Sequence, residues 1–184
     1  AFREFLQERY GSLEELNRAW GAVFWNQSYT DWAQVYVPRT TYGDGTNPHQ
    51  WLDYIRFVSE STIRFCKLQS DILRKYIKPG DFITTNGMFG SVDNHRLTRD
   101  CLDVYTYDSY PNFAYVWGDP KHNNTLLDRK WSRHLMEVRS VCPHFGIMEQ
   151  QAGAGGSVGM DAPAPKPGQM MLWAMQSIAH GADY

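Results

Sequence analysis

At three places in this 184-residue sequence, polar side chains stand directly after short apolar runs. Phe145-Gly146-Ile147-Met148 leads into Glu149-Gln150-Gln151, Val104-Tyr105-Thr106-Tyr107 leads into Asp108-Ser109-Tyr110-Pro111, and Phe82-Ile83-Thr84-Thr85 ends at Asn86. A carboxylate in such a place costs desolvation free energy unless it is paired or opens into a site. Glu149 is therefore either a catalytic carboxylate or an acid held by a structural partner. Asp108 reads as a second site carboxylate or as a strand-exit residue capping backbone amides, with Tyr107 or Tyr110 left to face a substrate.

The elements that must position these residues follow from the same pattern. The three runs are rich in β-branched and aromatic residues, as buried parallel strands are. Helical spacing surrounds them. Phe2, Phe5 and Leu6 and then Leu13, Leu16 and Trp20 give two helical pieces separated by Gly11, and Ser12 with Glu15 fits a capping box at the start of the second. Asn47-Pro48 opens a long helix whose stripe includes Trp51, Leu52, Ile55, Val58, Ile63, Cys66, Leu73 and Tyr76, and Pro79-Gly80 ends it. Leu126 to Val138 and Met170 to Ala179 give two more. Strands alternating with helices make an α/β fold with a parallel sheet, in which ligands gather at the carboxyl ends of the strands.

Two stretches fall outside this alternation. Residues 21–47 hold no period, yet Phe24, Trp25, Tyr29, Trp32, Tyr36 and Tyr42 crowd them. So long a loop in a compact domain is usually functional or disordered, and its rings suit either sugar stacking or a hydrophobic plug. Gly153, Gly155, Gly156 and Gly159 form a glycine-rich stretch after Glu149; it has neither the lysine of a phosphate loop nor the dinucleotide fingerprint, and reads as a loop following a catalytic strand.

Composition narrows the function classes. The net charge is −2 and no run of five like charges occurs, which removes the footprint of a nucleic-acid or anionic-membrane binder. No stretch is long and apolar enough to span a bilayer. Cys66, Cys101 and Cys142 are odd in number and far apart, so they predict reduced thiols and no zinc site. The six histidines show no metal-ligand spacing. Residue 1 falls inside a helical pattern, and Ala182-Asp183-Tyr184 follows a helix-ending Gly181 as a new strand would begin. The chain is expected to be part of something larger.

A family resemblance adds to this reading. Phe2-Arg3-Glu4-Phe5-Leu6, Arg9-Tyr10-Gly11-Ser12-Leu13, Leu16-Asn17-Arg18-Ala19-Trp20-Gly21 and Phe24-Trp25 closely resemble the segment after the acid/base strand in family 42 β-galactosidases of the glycoside hydrolases. Thr84-Thr85-Asn86, Tyr107 to Pro111, Met148-Glu149-Gln150, Pro167-Gly168-Gln169-Met170, Leu172-Trp173 and Ala179-His180-Gly181-Ala182-Asp183 continue it in order.

The resemblance implies a partial (β/α)8 TIM barrel, from the helix after strand 4 through the helix after strand 7, with residues 1–184 forming part of one catalytic domain and 21–47 an active-site loop. It implies Glu149 as the nucleophile of a retaining β-galactosidase, with the acid/base glutamate upstream of Ala1, so that the segment alone is expected to be inactive. It further implies that Trp25 shapes the galactose subsite, that Asn86 lies at the mouth of strand 5, and that Tyr110 or Tyr107 approaches the nucleophile. The expected partner is a β-galactoside, without cofactor, metal, nucleic acid or membrane; a trimeric parent and a cytoplasmic location complete the expectation. Two departures stand out: Tyr107 replaces a common tryptophan, and the glycine-rich stretch lacks a tryptophan usual after the nucleophile. Two alternatives stay open, a non-catalytic carbohydrate-binding or scaffolding module and a related glycosidase acting on an arabinoside.

Overall fold

A computed structural model describes residues 1–39, 46–87, 90–111, 127–153 and 164–184, with the side chains of Trp25 and residues 127–130 excepted. The elements are helices α1 (Phe2–Tyr10), α2 (Leu13–Ala19), α3 (Pro48–Leu73) and α4 (Asn94–Cys101), strand β1 (Tyr105–Ser109), helix α5 (Leu127–Val141), strand β2 (Phe145–Gln150) and helix α6 (Gln169–Ala179). Two compact units emerge, Ala1–Phe65 with Gly90–Val92, and Cys66–Phe89 with Asp93–Tyr184.

The first unit is built on the aromatic and leucine positions that gave its helices away. Phe2, Leu6, Leu16, Trp20 and Val35 form its buried core, flanked by Phe5, Tyr10, Tyr29, Trp32, Tyr54 and Phe57. Gly11 joins α1 to α2 at φ 73°, in the left-handed region that glycine adopts without a Cβ penalty. The serine half of the expected capping box forms, with Ser12 Oγ accepting from the Glu15 N–H at 3.2 Å, while the Glu15 carboxylate pairs with Arg18. The aromatic-rich stretch 21–47 carries two 3₁₀ turns, Phe24–Asn26 and Trp32–Gln34. Side chains tie it down: Arg3 donates to the Val35 and Ala33 carbonyls, and Asn17 both donates to and accepts from the Tyr29 backbone.

At the centre of this unit lies Asp53, whose side chain is 1% exposed. Its Oδ2 accepts from Tyr10 Oη at 2.6 Å and Trp20 Nε1 at 2.8 Å, and its Oδ1 accepts from Arg56 at 2.9 Å, with Arg9 Nε 3.5 Å away. Burial pushes this carboxyl up, but the three hydrogen bonds and the Arg9 charge outweigh it and hold the group below the usual aspartate value.

The second unit contains the sheet. β1 and β2 pair in parallel, with Tyr105 opposite Phe145 and Thr106 opposite Gly146; an irregularity between Tyr107 and Asp108 then sets Asp108 opposite Glu149 and Ser109 opposite Gln150. Residues 82–86 were expected to form a full strand. They contribute a single parallel bridge, Asn86 to Thr106, because the Asp103 carboxylate takes the Ile83 N–H at 2.9 Å in place of a neighbouring strand carbonyl. On the other flank Ala182 likewise makes a single parallel bridge, to Phe145, and the Ile147 N–H reaches the Tyr184 carbonyl at 2.7 Å. Helix α4 was missed. Its only apolar anchors are Leu97 and Cys101, both buried, and its start is set by Asp93 accepting from the Arg96 N–H.

Alternation along β1 divides its side chains between two environments. Tyr105, Tyr107 and Ser109 turn towards helix side chains: Tyr105 Oη donates to Asn94 of α4, the Tyr107 ring lies 6.0 Å from Trp131 of α5, and Trp131 Nε1 donates to Ser109 Oγ at 2.8 Å. Thr106 and Asp108 face the opposite way, Thr106 meeting Thr84 at 3.2 Å.

Gly87 shows how tightly this region is packed. A Cβ there would lie 2.0 Å from the ring of Tyr105, which is fully buried. Gly87→Ala is expected to drive that ring from its place and break its bond to Asn94, lowering unfolding free energy by about 1–3 kcal/mol. A urea titration monitored by near-ultraviolet circular dichroism measures it.

Candidate functional site

The site residues of the second unit collect where its extended segments end. Glu149 is the fifth residue of β2 and is exposed. Its Oε2 accepts a hydrogen bond from Tyr110 Oη at 2.7 Å. Tyr110 directly follows β1, and the buried Pro111 comes next. The bond to Glu149 is the main reason the Tyr110 hydroxyl is held above its ordinary pKa; slight burial and the negative charges of Glu149 and Asp108 act in the same direction. Tyr110 therefore remains a proton donor further into the alkaline range than a free tyrosine.

Opposite Glu149 on the facing strand, Asp108 Oδ2 accepts from Asn86 Nδ2 at 2.5 Å. Asp108 Oδ1 is buried and has no hydrogen-bond partner among the described residues. A buried carboxylate oxygen without a donor is costly, and a ligand hydroxyl is the kind of group that satisfies it. The turn-capping role that the sequence allowed for Asp108 is not what these contacts show; its side-chain partner is the Asn86 amide.

The structure thus brings Glu149, Tyr110, Asp108 and Asn86 to one end of the parallel segments. Tyr107 is not brought there. Its side chain is buried on the helix-facing side of β1, with its hydroxyl 3.3 Å from His134 Nδ1, and burial is the first cause that pushes its ionisation up. Of the two tyrosines offered as neighbours of Glu149, Tyr110 is the one in contact. Trp25 stands in the 3₁₀ turn Phe24–Asn26 of the first unit. Much of the glycine-rich stretch, from 154 to 159, lies outside the described residues.

Two supporting residues escaped the sequence reading. Trp131 anchors Ser109 from α5, and Gln151 is buried with its backbone N–H bonded to the Ser109 carbonyl at 2.9 Å. Trp131 was visible only as one position of a helix stripe; Gln151 followed Glu149 as one of two identical amides. Among the described residues no group of three or more His, Cys, Asp or Glu side chains is gathered as for a metal ion. No described helix is long and apolar enough to cross a membrane.

Comparison with known proteins agrees along the whole chain. The model of glycoside hydrolase family 42, described as β-galactosidase, matches residues 1–184. A β-galactosidase of Thermus thermophilus is 38% identical over 192 residues, an alignment covering 100% of this chain and 29% of that protein. A β-galactosidase of Geobacillus kaustophilus is 35% identical over 185 residues, covering 100% and 26%. Among solved structures, the β-galactosidase of the Antarctic haloarchaeon Halorubrum lacusprofundi superposes with a TM-score of 0.84 at 32% identity, over 99% of this chain and 28% of that one. The enzyme from Bacillus circulans sp. alkalophilus gives 0.78 at 31%, over 99% and 26%. The chain spans between 26% and 29% of the length of these proteins. With the α/β fold of those barrel structures and a family match from its first residue to its last, the chain belongs to the family 42 β-galactosidases of the glycoside hydrolases.

Proposed function

We propose that this chain supplies the nucleophile side of a retaining β-galactosidase site, within a (β/α)8 barrel of which it forms the part from the helix after strand 4 through the helix after strand 7. The observation that carries the reading is the 2.7 Å hydrogen bond from Tyr110 to Glu149 where adjacent parallel segments end. In a retaining glycosidase one carboxylate attacks the anomeric carbon while a second carboxyl, about 5–5.5 Å away, protonates the departing oxygen and later activates water. Glu149 takes the first role, its Oε1 or Oε2 forming the ester bond as the glycosidic C–O bond breaks. The second carboxyl belongs to a residue outside these 184, so the segment by itself does not turn over substrate.

Asn86 and Asp108 supply polar contacts to the sugar. Asp108 Oδ1, which lacks a donor among the described residues, suits a sugar hydroxyl, and the Asn86 amide holds the other oxygen in place. Tyr107 serves by fixing β1 against α5. In the whole enzyme, Trp25 and the stretch 21–47 belong to the galactose subsite. By the family resemblance the parent enzyme is a trimer, and three cysteines far apart in sequence support a reducing, cytoplasmic setting for it.

Turnover of an aryl β-galactoside by the longest natural reading frame containing this chain tests the reading, with an aryl α-arabinoside beside it. Preference for the galactoside supports it; preference for the arabinoside changes the substrate, and saturable galactose binding without turnover replaces the enzyme with a binding module. Tyr110→Phe in that protein removes a hydrogen bond to a charged group, worth about 1.5–3 kcal/mol. It is expected to lower kcat by roughly 10–100-fold with KM little changed. Steady-state kinetics at saturating galactoside measure it.

A further inference from the structure

Behind the contact between Tyr110 and Glu149 stands a second pair of hydrogen bonds, both made to Ser109. This residue ends β1 and is fully buried. Its carbonyl accepts from the Gln151 N–H at 2.9 Å, one residue beyond the end of β2, and its hydroxyl oxygen accepts from Trp131 Nε1 of α5 at 2.8 Å. The backbone bond carries the pairing of the two strands past Gln150 and closes it two residues after Glu149. Gln151 is held in turn, its side-chain amide donating to the Gly153 carbonyl at 2.9 Å.

Each bond to Ser109 constrains the start of Tyr110. The Ser109 carbonyl belongs to the same planar peptide unit as the Tyr110 N–H, so fixing that carbonyl fixes the plane from which the Tyr110 side chain departs. The hydroxyl bond is equally well directed. An indole N–H only donates, and the Trp131 ring that carries it is wedged, 6.0 Å from the Tyr107 ring of β1 and 5.1 Å from the His134 ring of its own helix. Trp131 and Gln151 are buried, which keeps water from competing for either bond.

We propose that Trp131 is a positioning residue: by holding Ser109 from the helix side of β1, it aims the Tyr110 hydroxyl at Glu149. Without the indole donor the buried Ser109 oxygen is left short of a partner, and the serine is free to turn towards another. A turn of Ser109 reaches Tyr110 through their shared peptide plane, and a hydrogen bond of 2.7 Å weakens steeply as its geometry departs from linear. The effect of Trp131 on turnover rests on the reading of Glu149 as nucleophile; its effect on Tyr110 does not. Because the bond to Glu149 is the first cause of the raised ionisation of the Tyr110 hydroxyl, the titration of that phenol reports the alignment directly.

The test compares wild type, Trp131→Phe and Ser109→Ala in the full-length protein, each with and without Tyr110→Phe. Phenylalanine keeps a ring against Tyr107 and removes the donor, whereas alanine leaves the helix untouched and removes the acceptor. Ultraviolet titration, taken as the difference between each protein and its Tyr110→Phe counterpart, isolates the Tyr110 phenol. It should ionise above the ordinary tyrosine range in wild type and fall back towards that range in both variants. On an aryl β-galactoside, kcat should drop by roughly 3–10-fold with KM little changed, as loss of one neutral hydrogen bond allows. Trp131→Phe and Ser109→Ala combined should be no worse than either alone, since both remove the same bond. A Tyr110 titration identical to wild type in both folded variants would overturn the proposal and leave Trp131 a packing residue, whatever happens to the unfolding midpoint. A loss of kcat that persists undiminished in the Tyr110→Phe background would also overturn it, because the effect would then bypass Tyr110. If wild type shows no turnover while the phenol titration still follows Trp131, the nucleophile reading of Glu149 fails and the positioning of Tyr110 stands. Circular dichroism confirms that each variant is read in its folded state.

Discussion

In the full-length protein, Glu149→Gln is expected to reduce turnover of an aryl β-galactoside by roughly 10³-fold or more, a loss of about 4 kcal/mol of transition-state stabilisation. The amide oxygen that replaces Oε2 still accepts from Tyr110 Oη, so the fold and the hydrogen bond seen at 2.7 Å have no reason to change. What disappears is the proposed nucleophile: a neutral amide does not attack the anomeric carbon. Circular dichroism and the unfolding midpoint should therefore match wild type while kcat collapses. A second variant makes the reading sharper. Glu149→Ala opens space where the carboxylate stood, and added azide can attack from the same face. Formation of an α-galactosyl azide would assign Glu149 to the nucleophile's side of the sugar; unaltered turnover in either variant would remove it from the reaction.

The second large effect concerns stability. Asp53→Ala is expected to lower the unfolding free energy by about 3–5 kcal/mol, the cost of breaking a buried charge pair from one side. Tyr10, Trp20, Arg56 and Arg9 would then surround a position that accepts nothing. Asp53→Asn retains one acceptor oxygen and should fall between. The pH dependence carries its own sign. The folded carboxyl sits below its unfolded value, so its contribution is fully present above the unfolded value near pH ~4 and is lost as pH falls through the folded one. Urea unfolding measured from neutral pH downward should show wild type losing its advantage over Asp53→Asn in that acid window. Parallel curves would show that the charge of Asp53 does not stabilise the fold.

Legibility of the chain followed the physics of each segment. α3 was readable because its apolar stripe runs for seven turns after an Asn-Pro start, and the two paired strands because each begins in a short run of β-branched and aromatic residues. α4 was not, since eight residues carrying two apolar anchors generate no period worth detecting. Residues 82–86 have strand composition, but a side chain from outside the ladder, Asp103, competes for one of their backbone donors, and composition is blind to such competition. The candidate site divided similarly. Glu149 was marked by a carboxylate after an apolar run. Which tyrosine reaches it was not decidable, because Tyr107 and Tyr110 are both aromatic, both near the end of one strand, and differ only in which face the pleat gives them. The irregularity after Tyr107 is a backbone event with no sequence mark, yet it sets Asp108 opposite Glu149.

Pro111 gives the Tyr110–Glu149 contact a further property. The residue before a proline is sterically kept from helical backbone angles, so Tyr110 has fewer conformations to surrender than an ordinary strand-end residue. Its ring is further limited to two side-chain torsions. The donor that meets Glu149 is consequently aimed in advance, and under the proposed function little of a sugar's binding energy would be consumed in assembling this corner. The dipeptide Tyr110-Pro111 thereby converts a restriction on the unfolded chain into readiness of the folded one.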